Sequence, residues 1–141
     1  MANKNPLIGG GFHHVAVKVV DFDAAVAFYT KLGFTEKVSW GEGDGRAVML
    51  DTGDGNYVEV FAGGKPGAVS DGIIHFAIRT PDTDAAHKLA LSLGAVETMA
   101  PTTVPVKNTS KAGLPAEVPF RISFVRAPGG ESIEFFQNEL T

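Results

Sequence analysis

The sequence predicts an α+β fold in which two βαβββ repeats form an open barrel of mixed β-sheet. Residues 13–34 align with residues 74–95 without a gap, at an offset of 61. The ends of the two halves align again, at an offset of 75. Each half also combines one amphipathic segment with several short apolar ones, which is the pattern of strands packed against a helix.

Chemically equivalent residues recur in the same order in both halves. The matched pairs include His14 and His75, Asp21 and Asp82, Gly33 and Gly94, Arg46 and Arg121, and Glu59 and Glu134. An ordered series of this kind indicates two copies of one supersecondary unit. We expect a single domain over residues 12–137, built from repeats 12–62 and 73–137.

Strands are predicted where β-branched and aromatic residues alternate with other types. In the first half they lie at 12–19, Thr35–Trp40, Ala47–Asp51 and Tyr57–Phe61, and in the second at 73–80, 96–100, 120–126 and 132–136. A helix follows the first strand of each half. Aspartates at 21 or 23 and at 82 or 84 are its candidate N-caps, and Gly33 and Gly94 suit its C-terminal end.

The helices should turn an apolar stripe toward the sheet. In the first helix the stripe is Val26, Tyr29 and Leu32, and in the second it is Leu89, Leu93 and the alanines. His87 is interpreted as a surface residue of the second helix.

The second half carries 14 extra residues, because the offset changes from 61 to 75. We place them in a loop at 101–119, which holds four prolines and few periodic apolar positions. Residues 1–11 and 138–141 are interpreted as terminal tails.

Composition excludes several classes of function. The 141 residues are 44% hydrophobic and carry a formal net charge of −4, so no basic surface for nucleic acid is expected. The absence of cysteine excludes disulfides and thiolate metal sites. No apolar run is long enough for a membrane span, and the start does not resemble a signal peptide. We therefore expect a cytoplasmic protein.

Strand parity selects four candidate metal ligands. Side chains alternate across a strand, so His14 lies opposite the valine face on which a helix would pack. The same parity turns Glu59, His75 and Glu134 away from the helices, whereas His13 should point to the helix side or the strand edge. Two imidazoles and two buried carboxylates suit a divalent ion such as Ni²⁺, Co²⁺, Zn²⁺, Mn²⁺ or Fe²⁺.

These segments resemble the glyoxalase I/vicinal-oxygen-chelate superfamily. The resemblance is carried by HHVAVKVVDFDAAVAFYTKLGF, NYVEVF, IHFAIRTPD and GGESIEFF, and it covers almost the whole chain. It implies paired βαβββ modules around a metal held by His14, Glu59, His75 and Glu134. This ligand set is closest to that of the glyoxalase I (lactoylglutathione lyase) enzymes.

The resemblance implies a metal-dependent lyase that converts the hemithioacetal of a 2-oxoaldehyde into a 2-hydroxyacyl thioester, through an enediolate that the metal stabilises. Glu134 would act as the base, with Glu59 as the second candidate. Two alternatives remain: an epimerase acting alpha to a thioester, and a small-molecule or antibiotic-binding protein without catalysis.

The expected substrate is a small molecule, with a thiol adduct as first candidate. Lys18 and Gly63 stand where glyoxalase I enzymes commonly carry an arginine and an asparagine that contact glutathione. The candidate pocket residues are Lys18, Tyr57, Phe61, Arg121 and Phe136. Arg46 and Arg121 could hold an anionic group, although a solvated strand face is the simpler interpretation. Resemblance to small glyoxalase I enzymes favours a homodimer with its sites at the interface; closure within one chain satisfies the same parity.

Overall fold

The computed structural model describes Leu7 and residues 10–67, 72–110, 115–128 and 130–141. The elements, in chain order, are β1 (Gly11–Lys18), α1 (Phe22–Leu32), β2 (Thr35–Trp40), β3 (Ala47–Asp51), β4 (Tyr57–Phe61), β5 (Gly72–Arg79), α2 (Thr83–Ser92), β6 (Val96–Lys107), β7 (Glu117–Arg126) and β8 (Ser132–Gln137). A short 3₁₀ turn at Gly43–Gly45 precedes β3. No helix within the described ranges is long and apolar enough to cross a membrane.

One eight-stranded mixed sheet carries the fold, in the order β2-β3-β4-β1-β5-β8-β7-β6. The order reads the same way outward from the centre in both halves. β1 pairs with β4 in parallel, β5 pairs with β8 in parallel, and the halves join where β1 pairs with β5 antiparallel. The sheet curls into a half-barrel with two helices. The predicted α+β fold of two βαβββ repeats is thereby confirmed.

Matching capping residues start both helices. The Asp21 side chain accepts a hydrogen bond from the Ala24 backbone N–H at 2.9 Å, and the Asp82 side chain accepts one from Ala85 at 3.0 Å. These bonds satisfy amide groups that lack partners inside the helix. At the end of α1, Gly33 adopts the left-handed conformation with φ of 110°.

The predicted apolar stripes are partly wrong. In α1, Val26 and Tyr29 pack against β3 and β4, but Leu32 is 61% exposed. In α2, Leu89 and Leu93 are exposed. The predicted alanines do face inward, as Ala86 and Ala90, together with Thr83 and His87. Small residues bring this helix close to the sheet.

His87 is buried rather than on the surface, which corrects the sequence interpretation. Its Nε2 atom lies 2.6 Å from Oε2 of Glu97 on β6. The carboxylate supplies the polar partner that a buried imidazole requires. The neighbouring Lys88 misled the prediction, because adjacent helix residues point about 100° apart.

The predicted loop at 101–119 is largely an extended β-hairpin. β6 runs to Lys107 and β7 begins at Glu117, with Pro105 directly opposite Pro119. Antiparallel ladders alternate hydrogen-bonded with non-hydrogen-bonded pairs, and two prolines fit opposite each other at the second kind. The prolines therefore do not end the strands, contrary to the prediction from the sequence.

This hairpin extension covers the concave face of the half-barrel. Val106, Val118 and Phe120 are buried in one cluster with Val38 and Met49 of the other half. The Thr109 backbone N–H also donates to the Ser39 carbonyl of β2 at 2.7 Å. The extra residues of the second half thus join the two edges of the curled sheet.

The terminal boundaries also differ from the prediction. Gly11 already belongs to β1, and residues 138–141 pack on the domain instead of forming a free tail. Leu140 contacts the concave-face cluster, and the Thr141 hydroxyl lies 2.8 Å from Nε2 of His13. Residues 1–6, 8 and 9 of the predicted N-terminal tail lie outside the described residues.

Val118→Ala tests whether the hairpin extension belongs to the core. Because Val118 is 2% exposed, removing its two methyl groups should lower the free energy of unfolding by about 2 kcal/mol. Val20→Ala is the matched control, since Val20 is 57% exposed and its loss should cost less than about 0.5 kcal/mol. Urea denaturation measures both variants. Equal small losses of unfolding free energy would indicate that the segment is a solvated loop.

Candidate metal centre

The antiparallel pairing of β1 with β5 positions the two predicted histidine ligands. His14 lies opposite Ala77, and Ala16 lies opposite His75. The histidines are therefore diagonal neighbours across the seam, on one face of the sheet. Their Nε2 atoms approach to 3.2 Å.

The parallel strands on either side of this seam bring in the two glutamates. Glu59 of β4 pairs with Ala16, and Glu134 of β8 pairs with Ala77. Two rows of three residues cross the sheet, each with an alanine in its middle: Glu59, Ala16 and His75 in one row, and His14, Ala77 and Glu134 in the other. Because both alanines are small and fully buried, space remains above them for the four longer side chains to converge.

The two carboxylates approach the histidines differently. Glu59 presents a single oxygen, Oε1, which lies 3.4 Å from His14 Nε2 and 3.7 Å from His75 Nε2. Glu134 presents Oε1 to His14 at 3.4 Å and Oε2 to His75 at 3.8 Å. Glu134 Oε1 has no hydrogen-bond partner among the described residues, although it is buried.

Burial dominates the electrostatics of the centre. It raises the pKa of Glu134 well above the ordinary value, and the nearby Glu59 carboxylate adds to this effect. Burial lowers the pKa of His75 to about 4, with Glu59 opposing the shift and His14 adding to it. His75 is therefore a neutral imidazole at neutral pH, with the protonation state that a metal ligand needs.

The donor set and spacing fit a divalent metal ion. Donor atoms held 2.0–2.2 Å from one ion lie roughly 3–3.5 Å apart, close to the separations of 3.2–3.8 Å found here. A dication would also supply the partner that Glu134 Oε1 lacks. His14, Glu59 and His75 form a group that could hold a metal, and Glu134 lies beside it, 3.4 Å from His14 Nε2 and 3.8 Å from His75 Nε2. Its role as a fourth ligand remains a prediction. The identity of the metal remains a prediction.

All four side chains meet within one chain. The expected arrangement in which two ligands from each of two chains complete the site is therefore not the one adopted, because the β1–β5 seam joins the two halves directly. A homodimer remains a prediction, but the centre does not require one. His75, at 9% exposure, is the most accessible of the four.

His13 was placed wrongly by the sequence. Phe12 pairs with Ile78 and His14 pairs with Ala77, so His13 is the extra residue of a β-bulge. The bulge shifts the alternation of side chains, which turns His13 into the half-barrel and leaves Phe12 48% exposed. Parity counted from the sequence assumes an uninterrupted strand, and nothing in the sequence marks this bulge.

His13 lies directly behind His14. The Nδ1 atoms of the two rings are 2.7 Å apart, and His13 packs between Tyr57 and Phe136. Burial lowers the pKa of His13 to about 2, with smaller contributions from His14 and Arg79. His13 is thus a neutral, enclosed residue in direct contact with a predicted ligand.

The predicted pocket residues fall into two groups. Lys18 and Phe61 are register partners at the end of β1 and β4, half-buried and on the face that carries His14 and Glu59. Tyr57 and Phe136 are buried around His13 and form the back wall of the centre. Trp40 packs edge-on against Phe61 at 6.2 Å, which extends the apolar surface near Lys18.

Arg121 has a structural partner on the helix side of the sheet. Its guanidinium donates two hydrogen bonds, at 2.6 and 3.0 Å, to the Asp84 carboxylate in the first turn of α2. This contact lowers the pKa of Asp84 and raises that of Arg121. At the matching position of the first half, Arg46 donates a single hydrogen bond, at 3.2 Å, to the Asp23 carboxylate of α1. The repeat therefore preserves a clamp between strand and helix, which is a different role from the predicted substrate contact.

A cavity of about 760 Å³ opens elsewhere, between the ends of β5 and β8, the hairpin extension and the C-terminal segment. It includes Arg121 but none of the four predicted ligands. Because it lacks the converging donors, we do not assign the chemistry to this cavity.

The stability of the metal-free protein should fall as the pH drops from about 6.5 to about 4.5. The pKa values of His13 and His75 are lowered from 6.5 in the folded protein. In this pH range the two imidazoles therefore bind protons in the unfolded chain but not in the folded one. Glu134 acts in the opposite direction, because its raised pKa keeps a proton that the unfolded carboxyl loses above pH 4.5. The two histidines outweigh it.

The net difference of one proton corresponds to a slope on the order of 1.4 kcal/mol per pH unit. Urea denaturation across this range, after dialysis against a chelator, measures the slope. A free energy of unfolding that stays constant or rises toward low pH would contradict the burial of neutral histidines.

Comparison with known proteins identifies the family. The family model of the Glyoxalase/Bleomycin resistance protein/Dioxygenase superfamily matches residues 11–135. No curated protein sequence matches significantly.

Three solved structures share the fold at low sequence identity. A hypothetical protein, BH1468, from Bacillus halodurans C-125 has a TM-score of 0.68 at 15% identity, with coverage of 94% of this chain and 96% of that chain. Mycobacterium tuberculosis methylmalonyl-CoA epimerase has a TM-score of 0.66 at 22% identity, with coverage of 96% and 91%. A Streptomyces coelicolor methylmalonyl-CoA epimerase variant in complex with 2-nitronate-propionyl-CoA has a TM-score of 0.64 at 22% identity, with coverage of 89% and 95%. By its repeat, its sheet order and the family match, this chain belongs to the Glyoxalase/Bleomycin resistance protein/Dioxygenase superfamily.

Proposed function

We propose that the protein is a metal-dependent enzyme that moves a proton between carbons next to a carbonyl group. The observation that carries this proposal is the convergence of two imidazoles and two buried carboxylates: the histidine Nε2 atoms lie 3.2 Å apart, and each carboxylate lies 3.4–3.8 Å from both of them. The first candidate reaction is of the glyoxalase I type. It converts the hemithioacetal of a 2-oxoaldehyde into a 2-hydroxyacyl thioester.

His14, His75 and Glu59 would hold the metal. A divalent ion bound there supplies a Lewis acid, which acidifies the carbon–hydrogen bond and stabilises the negative charge that develops on the substrate oxygens. Because Glu59 directs the same oxygen toward both histidines, it is the better placed carboxylate for a permanent ligand.

Glu134 is the better candidate for the base. Its two oxygens face different histidines, and one of them lacks a hydrogen-bond partner among the described residues. In the metal-free centre, burial and the Glu59 charge raise its pKa, so this carboxyl holds a proton more readily than an exposed one. Glu134 would remove the proton from the hydroxyl-bearing carbon and return it to the neighbouring carbon. The substrate and product are then isomers, and no oxidant or reductant is needed.

Lys18 and Phe61 mark the side from which a substrate would contact the centre. A Cβ atom at Gly63 would lie 3.7 Å from Lys18 Cε and 2.9 Å from the Asp44 carbonyl oxygen, and Gly63 has φ of +86°. This position therefore excludes the asparagine that glyoxalase I enzymes commonly carry there. The thiol carrier has to be recognised differently, so glutathione is one candidate among several.

An epimerase acting alpha to a thioester is the second candidate. It is supported by the similarity of the fold to methylmalonyl-CoA epimerases, one of them bound to a CoA thioester analogue. The same two carboxylates, Glu134 and Glu59, would serve as acid and base. At 22% identity the similarity concerns the fold, so the substrate has to be decided by assay.

Substrate assays on metal-loaded protein distinguish the two candidates. We expect thioester formation from methylglyoxal combined with one of a panel of thiols that includes glutathione and coenzyme A. Hydrogen–deuterium exchange at the alpha carbon of methylmalonyl-CoA, without any reaction of methylglyoxal adducts, would instead support the epimerase. A protein that takes up no divalent metal and catalyses neither reaction would overturn the proposal in favour of a non-catalytic binding protein.

Glu134→Gln tests the proposed base. The amide keeps the size of the side chain and one oxygen donor but cannot accept the substrate proton, so kcat should fall by about 10²- to 10⁴-fold. Metal content, measured by elemental analysis after loading, should be largely retained. Glu131→Gln is the control, because Glu131 is an exposed glutamate before the same strand and its loss should leave kcat unchanged. Unchanged turnover in Glu134→Gln would remove Glu134 from this role.

A further inference from the structure

His13 lies next to the predicted ligand His14, and the four-ligand centre does not explain its position. His13 Nδ1 lies 2.7 Å from His14 Nδ1, on the opposite side of the His14 ring from the Nε2 atom that faces the other donors. His13 Nε2 lies 2.8 Å from the Thr141 hydroxyl oxygen. A continuous chain of contacts therefore runs from the centre through two imidazoles to the C-terminal segment.

Chemistry allows one arrangement of protons along this chain when His14 binds a metal. His14 then uses its Nε2 lone pair, so a neutral ring carries its proton on Nδ1 and donates it to His13. His13 must accept at Nδ1, which places its own proton on Nε2. That N–H donates to the Thr141 hydroxyl oxygen, which also accepts a hydrogen bond from the Asn138 side-chain amide at 2.8 Å.

The surroundings of His13 hold its ring in this orientation. The ring stacks on Tyr57 with centroids 5.0 Å apart and packs against Phe136 at 4.4 Å. His13 is completely buried, so water does not compete for either ring nitrogen. A hydrogen-bond acceptor fixed at this position is what keeps an imidazole ligand in one tautomer and one orientation.

This arrangement is not an automatic product of the repeated module. At the matching position before His75 the chain has Ile74, which offers no hydrogen-bonding side chain. The register between β1 and β5 also shifts around Ile74, so both halves carry the bulge and the difference lies in the side chain. The contact therefore belongs to the first half of the protein alone.

We infer that His13 is a positioning residue, which fixes the tautomer and orientation of His14 as a metal ligand through the chain His14–His13–Thr141. This inference rests on the proposed metal centre. His13 itself does not contact the metal or the substrate. Its effect should appear in the affinity and geometry of the metal site, before any reaction is measured.

Binding of Co²⁺ to the metal-depleted full chain tests the inference. His13→Phe keeps an aromatic ring between Tyr57 and Phe136 but removes the acceptor. It should weaken Co²⁺ binding by about 10- to 100-fold, as found for other partners of metal ligands, and should change the visible absorption of bound Co²⁺. His13→Asn places an amide oxygen near the position of Nδ1 and should restore both the affinity and the spectrum.

His87→Phe is the matched control, because His87 is a buried histidine bonded to Glu97 away from the centre. Its Co²⁺ affinity and spectrum should equal those of the unchanged protein, with circular dichroism reporting folding in every variant. Thr141→Val provides an independent test at the far end of the chain. It should weaken Co²⁺ binding less than His13→Phe does, since the ring stays in place.

Several outcomes would overturn the inference. Unchanged Co²⁺ affinity and spectrum in His13→Phe would do so, and so would equal losses in His13→Phe and His13→Asn, which would leave a packing role only. If His13→Phe does not fold, unchanged Co²⁺ affinity in Thr141→Val decides against the inference. An unaltered protein that binds no Co²⁺ would overturn the metal centre as well, which separates failure of the proposed function from failure of this inference.

Discussion

The antiparallel pairing of β1 with β5 is the constraint on which the rest of the structure depends. This seam joins two βαβββ units into one sheet and sets the register between their first strands. Because His14 faces Ala77 and His75 faces Ala16, the two histidines come together on the concave side. A one-residue slip would turn one of them toward the helix layer, since neighbouring side chains point to opposite faces.

Small residues beneath the centre make the convergence possible. Ala16 and Ala77 each stand between a histidine and a glutamate in a cross-strand row, and both are fully buried. A larger side chain at either position would occupy the space into which the imidazole and carboxylate groups extend. The hairpin extension encloses the same concave face with valine and phenylalanine side chains. This enclosure removes water from the Glu134 carboxyl, which raises its pKa, and the nearby Glu59 carboxylate adds to the shift.

The repeat is symmetric in its ligands and asymmetric in what surrounds them. Glu59 directs one oxygen at both histidines, whereas Glu134 divides its oxygens between them. His13 supports His14, but Ile74 stands at the equivalent position beside His75. A symmetric donor set suits metal binding, and asymmetric surroundings allow one carboxylate to act as base while the other remains a ligand. We regard this division as the physical basis of the proposed proton transfer.

The sequence by itself determined the repeat, the fold class and the four converging residues, because hydrophobic period, capping aspartates and strand parity are local properties. Only the tertiary structure decided the rest. The bulge that turns His13 inward depends on a register between strands that are distant in sequence. The burial of His87 depends on the close approach of α2 to β6. The contact of Arg121 with Asp84 depends on the packing of α2 against β7. In the sequence, Pro105 and Pro119 each look like a strand breaker, but in the structure they lie opposite each other in a hairpin. Closure of the centre within one chain likewise follows from the pairing of β1 with β5. Strand parity gives the face on which a side chain lies but not which strands pair.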